Sequence, residues 1–267
     1  MAECHCSAPN FIALYLNWGR ICSKKTPSQN LPEPTTHYRQ RYARNMNDRT
    51  IQSLRTSFDQ LSDEYARQLF NELRNKPLDR QLLDRFAEET TGKGKVCDMG
   101  CGPGQIANYL HSVGADVFGL DLSPGMLEQA RLLNPGISFQ EGNMMALNLK
   151  EESLAGIVAF YAIVTLPEES LPLIFREMHR ILQPGGHLLL AFHTGDETVQ
   201  VREMWGQSIS LDFFFFRVSA IREHLEAAGL TIEEIIERGP YAPEVERQSH
   251  RAYIFARKPV VGVQTYL

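Results

Sequence analysis

The stretch VCDMGCGPG, residues 96–104, places glycines at 100, 102 and 104 directly behind a short apolar run that includes Val96 and Cys97. Glycine has no Cβ, so this backbone can take positive φ and let a ligand come close. Ile106, Tyr109, Leu110 and Val113 follow at helical spacing, which predicts a strand, a glycine turn and a helix N-terminus in succession. In open α/β sheets ligands gather at that junction, and the loop reads as one for a nucleotide-type ligand.

Two ligand classes use such a loop. A dinucleotide fingerprint runs G-x-G-x-x-G/A, but Gln105 stands where the third small residue belongs, and the pattern here is G-x-G-x-G with Asp98 before it. About twenty residues on, a second strand at 115–120 leads into Asp121. A carboxylate there can accept from both ribose hydroxyls, and an acid is expected there for a nicotinamide dinucleotide too. Asp121 alone therefore leaves both classes open.

VCDMGCGPG followed by GLDLSPGML (119–127) resembles the first two motifs of class I S-adenosylmethionine-dependent methyltransferases, and the likeness extends over about 58–259. It implies a Rossmann-like α/β fold: a seven-stranded, mostly parallel sheet with helices on both faces and the last strand antiparallel. It also implies S-adenosyl-L-methionine as cofactor, with Gly100, Gly102 and Gly104 against its methionine and ribose part and Asp121 on the ribose hydroxyls. Asp98 takes a supporting role, and Cys101, Leu122, Met126, Met144 and Phe160 complete the expected cofactor neighbours. The family places a Gly-Asp pair at the adenine amine; this chain has Gly142-Asn143. Asn143 keeps an acceptor for that amine and adds a donor for adenine N1, without the charge.

Composition narrows the rest. A chain of 267 residues can build a substantial core, and no run of ~18 apolar residues suggests a membrane span. FIALYLNW (11–18) lacks the flanks of a signal peptide, so a cytoplasmic protein is expected. Among the five cysteines Cys4-His5-Cys6 forms one short cluster that could attract a metal, but no second Cys/His cluster has metal-ligand spacing, and no metal is expected. Residues 1–45 carry +4, which leaves −9 of the total −5 on the remainder and argues against nucleic acid. That leader holds four prolines and no sustained period, so 1–45 reads as disordered and 46–267 as the methyltransferase domain.

Within that domain Ile51, Leu54, Phe58, Leu61, Tyr65 and Leu69 keep helical spacing, and Pro77 opens a second helix. The family resemblance implies that residues 46–92 cap the cleft, with Tyr65 either facing substrate as in that family or packing in the helix stripe. Residues 154–160 read as a buried strand ending in Phe160-Tyr161-Ala162-Ile163. The Asp/Asn-Pro-Pro-aromatic tetrad of nucleic-acid amino methyltransferases is absent there. LQPGG (182–186) reads as a turn before a strand at 187–192, and 193–216 as a lid insertion. Helix 217–228 and strands 231–237 and 251–256 close the chain.

Methyl transfer from a sulfonium is an in-line displacement in which alignment in a dry pocket supplies about 7–11 kcal/mol. A base is needed only where the nucleophile carries a proton. His193 and Tyr161 are the candidate catalytic residues, His193 as base or as part of a solvated loop. Phe213–Phe216 stand as acceptor-pocket wall, dimer contact or core. The expected partner is a small-molecule acceptor with an N or O nucleophile, neutral or cationic on the acidic net charge. The rival classes are a non-catalytic binder of the same cofactor and a nucleotide-dependent oxidoreductase.

Overall fold

The computed structural model describes residues 36–260, with side chains from residue 51 onward. Strands β1 (Lys95–Met99), β2 (Val117–Asp121), β3 (Ser138–Glu141), β4 (Leu154–Phe160), β5 (Leu182–His193), β8 (Thr231–Arg238) and β9 (Arg251–Arg257) form one sheet in the order β3-β2-β1-β4-β5-β9-β8. Neighbours from β3 to β5 are parallel, and β9 runs antiparallel to both β5 and β8. The expected seven-stranded architecture is therefore present.

Alternation along the strands divides the core into two layers, because successive side chains point to opposite faces. Val96, Val158, Leu189 and Phe255 pack under α2 (Pro77–Thr90), α3 (Gln105–Ser112) and α4 (Pro124–Leu133). Cys97, Ile157, Leu188 and Ile254 pack under α5 (Leu171–Ile181) and α6 (Val218–Ala227). The order reverses between β1 and β4, where crossovers leave toward opposite edges and a crevice opens at the carboxyl ends.

Three expectations need correction. The first helix, α1, spans Thr36–Leu69, so residues 36–45 are helical and not part of a leader. The prolines that suggested disorder all lie at or before position 34, and none follows until Pro77. The rest of the expected leader, 1–35, lies outside the described residues, as does the Cys4-His5-Cys6 cluster.

The second correction concerns LQPGG, which belongs to β5 and not to a turn. Gly185 takes φ +79 and donates its N–H to Lys258 O, while the β4–β5 register jumps from Leu154↔Leu182 to Gly156↔His187. The segment is a bulge that lets the strand continue.

The third concerns only the local structure of the expected lid insertion 193–216, which holds an ordered hairpin of β6 (Thr198–Met204) and β7 (Gln207–Phe214) rather than an irregular connection. Trp205 and Gly206 form its two-residue turn with φ +50 and +78, the mirror-image geometry that suits strand twist. Ser57 ties the hairpin to α1, accepting from Ser210 N–H (3.1 Å) and donating to Ser210 O (3.3 Å).

Candidate active site

A cleft opens at the β1–β4 crevice, floored by the glycine loop and roofed by α1. Gly100 takes φ +73, and a Cβ there would lie 2.6 Å from Ala162 Cβ, so only glycine closes this turn. A Cβ on Gly102 (φ +52) would instead point into the cleft, its nearest neighbour Tyr65 Cε1 at 3.8 Å. Gly104 has another task from the one expected. It does not line the cleft but holds the left-handed cap of α3, pressed against Asn134 and Phe139.

Asp121 Oδ2 accepts from Gly102 N–H (2.8 Å) and Oδ1 from Ser123 N–H (2.9 Å), which fixes the carboxylate at the cleft. Burial raises its pKa while the N–H donors hold it down. Asp98 Oδ2 accepts from Ala107 N–H (2.9 Å) in the first turn of α3. Burial nonetheless pushes its pKa up to about 7. Cys101, Leu122, Met126, Asn143, Met144 and Phe160 also line the cleft. Asn143 Oδ1 accepts from Met145 N–H (2.9 Å) and so braces its own turn, which leaves the amide nitrogen free of that duty.

Several lining groups escaped the sequence reading. Gln105, weighed only as a missing glycine, lines the cleft and donates through Nε2 to Glu72 Oε1 (3.1 Å). Its Oε1 is buried without a hydrogen-bond partner, an acceptor at the mouth of the glycine loop. Ile51, Leu54 and Phe58 of α1 form an apolar wall. Tyr65 serves both readings offered for it, lining the cleft and packing edge-on against Phe58 and Trp205. Asp59 accepts from Ser123 Oγ (2.6 Å) and Gly125 N–H (2.9 Å), placing a carboxylate on the N-terminus of α4 and docking α1 over the loop after β2.

The two candidate catalytic residues occupy different places. Tyr161 lines the cleft directly after β4, with φ +54, a strained setting for an aromatic residue. Its hydroxyl lies 3.3 Å from that of Tyr253, which donates to Asp79 Oδ1 (3.0 Å) and accepts from Arg238 Nε (3.0 Å). Burial pushes the Tyr161 pKa up to about 12, so it is a neutral wall and not a base. His193 does not line the cleft; its ring packs on Tyr161 (4.9 Å) and stacks on Phe215 (5.2 Å), with Nδ1 2.9 Å from Ser249 Oγ. Burial, then the nearby Arg251, Arg247, Lys76 and Arg238, hold its pKa well below the usual value. At neutral pH the imidazole is uncharged but a weak proton acceptor.

Around these rings lies a charged cluster that the net charge did not foretell. Arg238 pairs with Asp79 (3.0 Å) and with Glu246, and Arg251 reaches Glu246 at 3.1 Å. Lys76 and Arg251 stand 6.0 and 5.9 Å from the Tyr161 ring, and Arg247 lies 5.4 Å over Phe215. Lys76, Arg238, Arg247 and Arg251 stand with Glu72, Asp79 and Glu246 in a largely ion-paired cluster behind Tyr161, and the carboxylates that line the cleft itself are Asp98 and Asp121.

A family described as "Methyltransferase domain" matches residues 96–186. These residues are a methyltransferase domain of class I fold. The malonyl-[acyl-carrier protein] O-methyltransferase of Erwinia billingiae is 32% identical over 123 residues, 46% of this chain and 48% of that protein. The chain thus spans about half the length of the curated relatives it matches first. An S-adenosylmethionine-dependent methyltransferase structure from Methanosarcina mazei superposes with TM-score 0.57 at 17% identity, covering 62% of this chain and 92% of that one. The [4+2]-cyclase SpnF superposes with TM-score 0.52 at 21% identity, covering 68% and 81%. The domain's fold is thus shared with proteins of more than one described activity.

The arrangement fits S-adenosyl-L-methionine. Gly100 and Gly102 offer a cradle free of Cβ atoms, Asp121 an oriented carboxylate, and Gln105 Oε1 an acceptor for an ammonium. Among the described residues no helix is long and apolar enough to cross a membrane.

Proposed function

We propose that the chain transfers a methyl group from S-adenosyl-L-methionine to an oxygen of a small acceptor that bears a carboxylate. Bound there, the cofactor supplies an electrophilic methyl on a sulfonium. The observation that carries the cofactor assignment is the unpartnered Gln105 Oε1 beside the glycine cradle and Asp121, acceptors that suit the donors of an ammonium and a ribose rather than a pyrophosphate. Tyr161 walls the acceptor side, α1 and the hairpin exclude water, and Asp98 and Asp121 hold the loop that orients the cofactor.

The acceptor reading rests on the weak basicity of His193. That favours a nucleophile that is already an anion: a carboxylate oxygen attacks the methyl carbon, the carbon–sulfur bond breaks, and no proton need be removed. Relatives described as malonyl-[acyl-carrier protein] O-methyltransferases support the same choice. The acidic net charge of the chain favours instead a neutral or cationic acceptor, and the amines and alcohols of the panel below test that alternative. A cytoplasmic location and no role for nucleic acid go with this reading.

Incubation with methyl-labelled cofactor and a panel of small carboxylic acids, alcohols and amines tests it. Label released as methanol by mild alkali supports a methyl ester; alkali-stable label overturns the carboxylate acceptor. Cofactor binding without turnover on any acceptor favours the non-catalytic binder.

A further inference from the structure

Far from the cleft, three chain segments bring together a histidine and two carboxylates. Glu89 lies in the last turn of α2, His187 in β5 and Glu233 in β8. Each carboxylate gives one oxygen to an arginine: Glu89 Oε1 accepts from Arg85 Nε (2.8 Å), and Glu233 Oε1 lies 3.1 Å from Arg257 Nε. The other oxygens turn toward His187 Nδ1, Glu89 Oε2 at 3.3 Å and Glu233 Oε2 at 3.9 Å.

His187 is only 7% exposed, and both its Nδ1 and Glu89 Oε2 are buried without a hydrogen-bond partner. Two polar atoms so close would ordinarily align an N–H with a lone pair, since a buried group left unmade is unfavourable. An off-axis oxygen beside a ring nitrogen is instead what a shared cation requires, because nitrogen and oxygen then both point at a third atom. The 3.3 Å separation is the edge of a tetrahedron with metal bonds of roughly 2.0 Å, the zinc range for imidazole and carboxylate, and the 3.9 Å one reaches that range with a shift of a few tenths of an ångström in the Glu233 side chain.

We propose that Glu89, His187 and Glu233 form a site for a divalent transition-metal cation of the zinc class, with water completing the coordination. The borderline-soft imidazole selects against Mg²⁺ and Ca²⁺, which take all-oxygen shells. Arg85 and Arg257 act behind the ligands, orienting each carboxylate as outer partners of metal ligands do. They and Lys93 add positive charge nearby, offset in part by Glu234, which pairs with Arg85. A bound cation would pin α2 to β5 and β8 and so hold the helix whose start carries Lys76 and Asp79.

The full chain, freed of metal by chelation and then dialysed, would be titrated with Zn²⁺, with Mg²⁺ and Ca²⁺ in parallel. Calorimetry should show one equivalent of Zn²⁺ bound with a rise of several degrees in Tm, and Co²⁺ in its place should give the intense visible bands of a tetrahedral site. Glu233→Gln, which alters an exposed position, should weaken Zn²⁺ binding at least tenfold while its metal-free Tm stays near that of the parent. His187→Gln should abolish the Co²⁺ bands. No Zn²⁺ binding, an equal response to Mg²⁺, or a Glu233→Gln variant that binds Zn²⁺ like the parent would overturn the proposal.

Discussion

Tyr161 holds φ +54 because its N–H donates to Ala191 O (2.9 Å) and its hydroxyl is anchored on Tyr253, two constraints that outweigh about 1–3 kcal/mol of backbone strain. Strain of this kind aims the ring at the cleft. At the other end, Asp121 is braced by two backbone N–H groups, so replacing it acts on both loop and ligand. Asp121→Ala should weaken cofactor binding by about 1.5–3 kcal/mol, the worth of hydrogen bonds to a charged group, read by calorimetry. Gln105 separates the two effects. Gln105→Leu removes a buried acceptor without a partner together with the hydrogen bond to Glu72, two opposed effects, so Tm without cofactor should change little while cofactor affinity should fall roughly tenfold or more. A fall in Tm with unchanged affinity would return Gln105 to a purely structural role. The glycines and Asp121 were legible because turn, acid and spacing are local; Gln105 was not, since its value depends on Glu72, which belongs to a different helix-start region of the chain.

At the scale of elements, local period predicted several helices and strands to within a residue or two, among them α6 and β4. What failed were boundaries set by partners. The hairpin β6–β7 hid behind a Trp at a left-handed turn position, and the start of α1 behind prolines that precede it. The docking of α1 depends on Asp59, which no periodicity marks, because its partners Ser123 and Gly125 lie more than sixty residues away. Asp59→Ala removes two hydrogen bonds and an anion at the α4 N-terminus, and should lower stability by about 1.5–3 kcal/mol in denaturant titration. The cofactor KM should rise in step, whereas Asp63→Ala, which breaks only the exposed contact with Gln129, should change neither.

For the whole molecule, buried ionisable groups give opposing pH terms. The His193 pKa is depressed, so below about pH 6.5 the unfolded chain takes up a proton that the fold refuses, and stability falls as pH falls. Asp98 is raised to about 7, so its contribution is present below about pH 4 and is lost as pH rises through 7. His193→Gln should therefore flatten the acid limb of Tm against pH, and Asp98→Asn the decline between about 4 and 7. Turnover on a carboxylate acceptor should show no basic limb for His193, and His193→Gln should keep kcat within tenfold. A drop of 10² or more would restore the histidine as a base.

The sheet order has a consequence for how the chain is made. Among the described residues those lining the cleft lie between positions 51 and 166, whereas β9, the last strand among them in chain order, must enter between β5 and β8. Its Tyr253 meets Asp79 across 174 residues of sequence, a contact whose long separation makes it slow to form. On the ribosome the cofactor half is complete while the acceptor side still lacks its central seam. Clipping β9 would therefore remove an interior strand and expose two edges at once, a defect that cellular proteolysis is well placed to find.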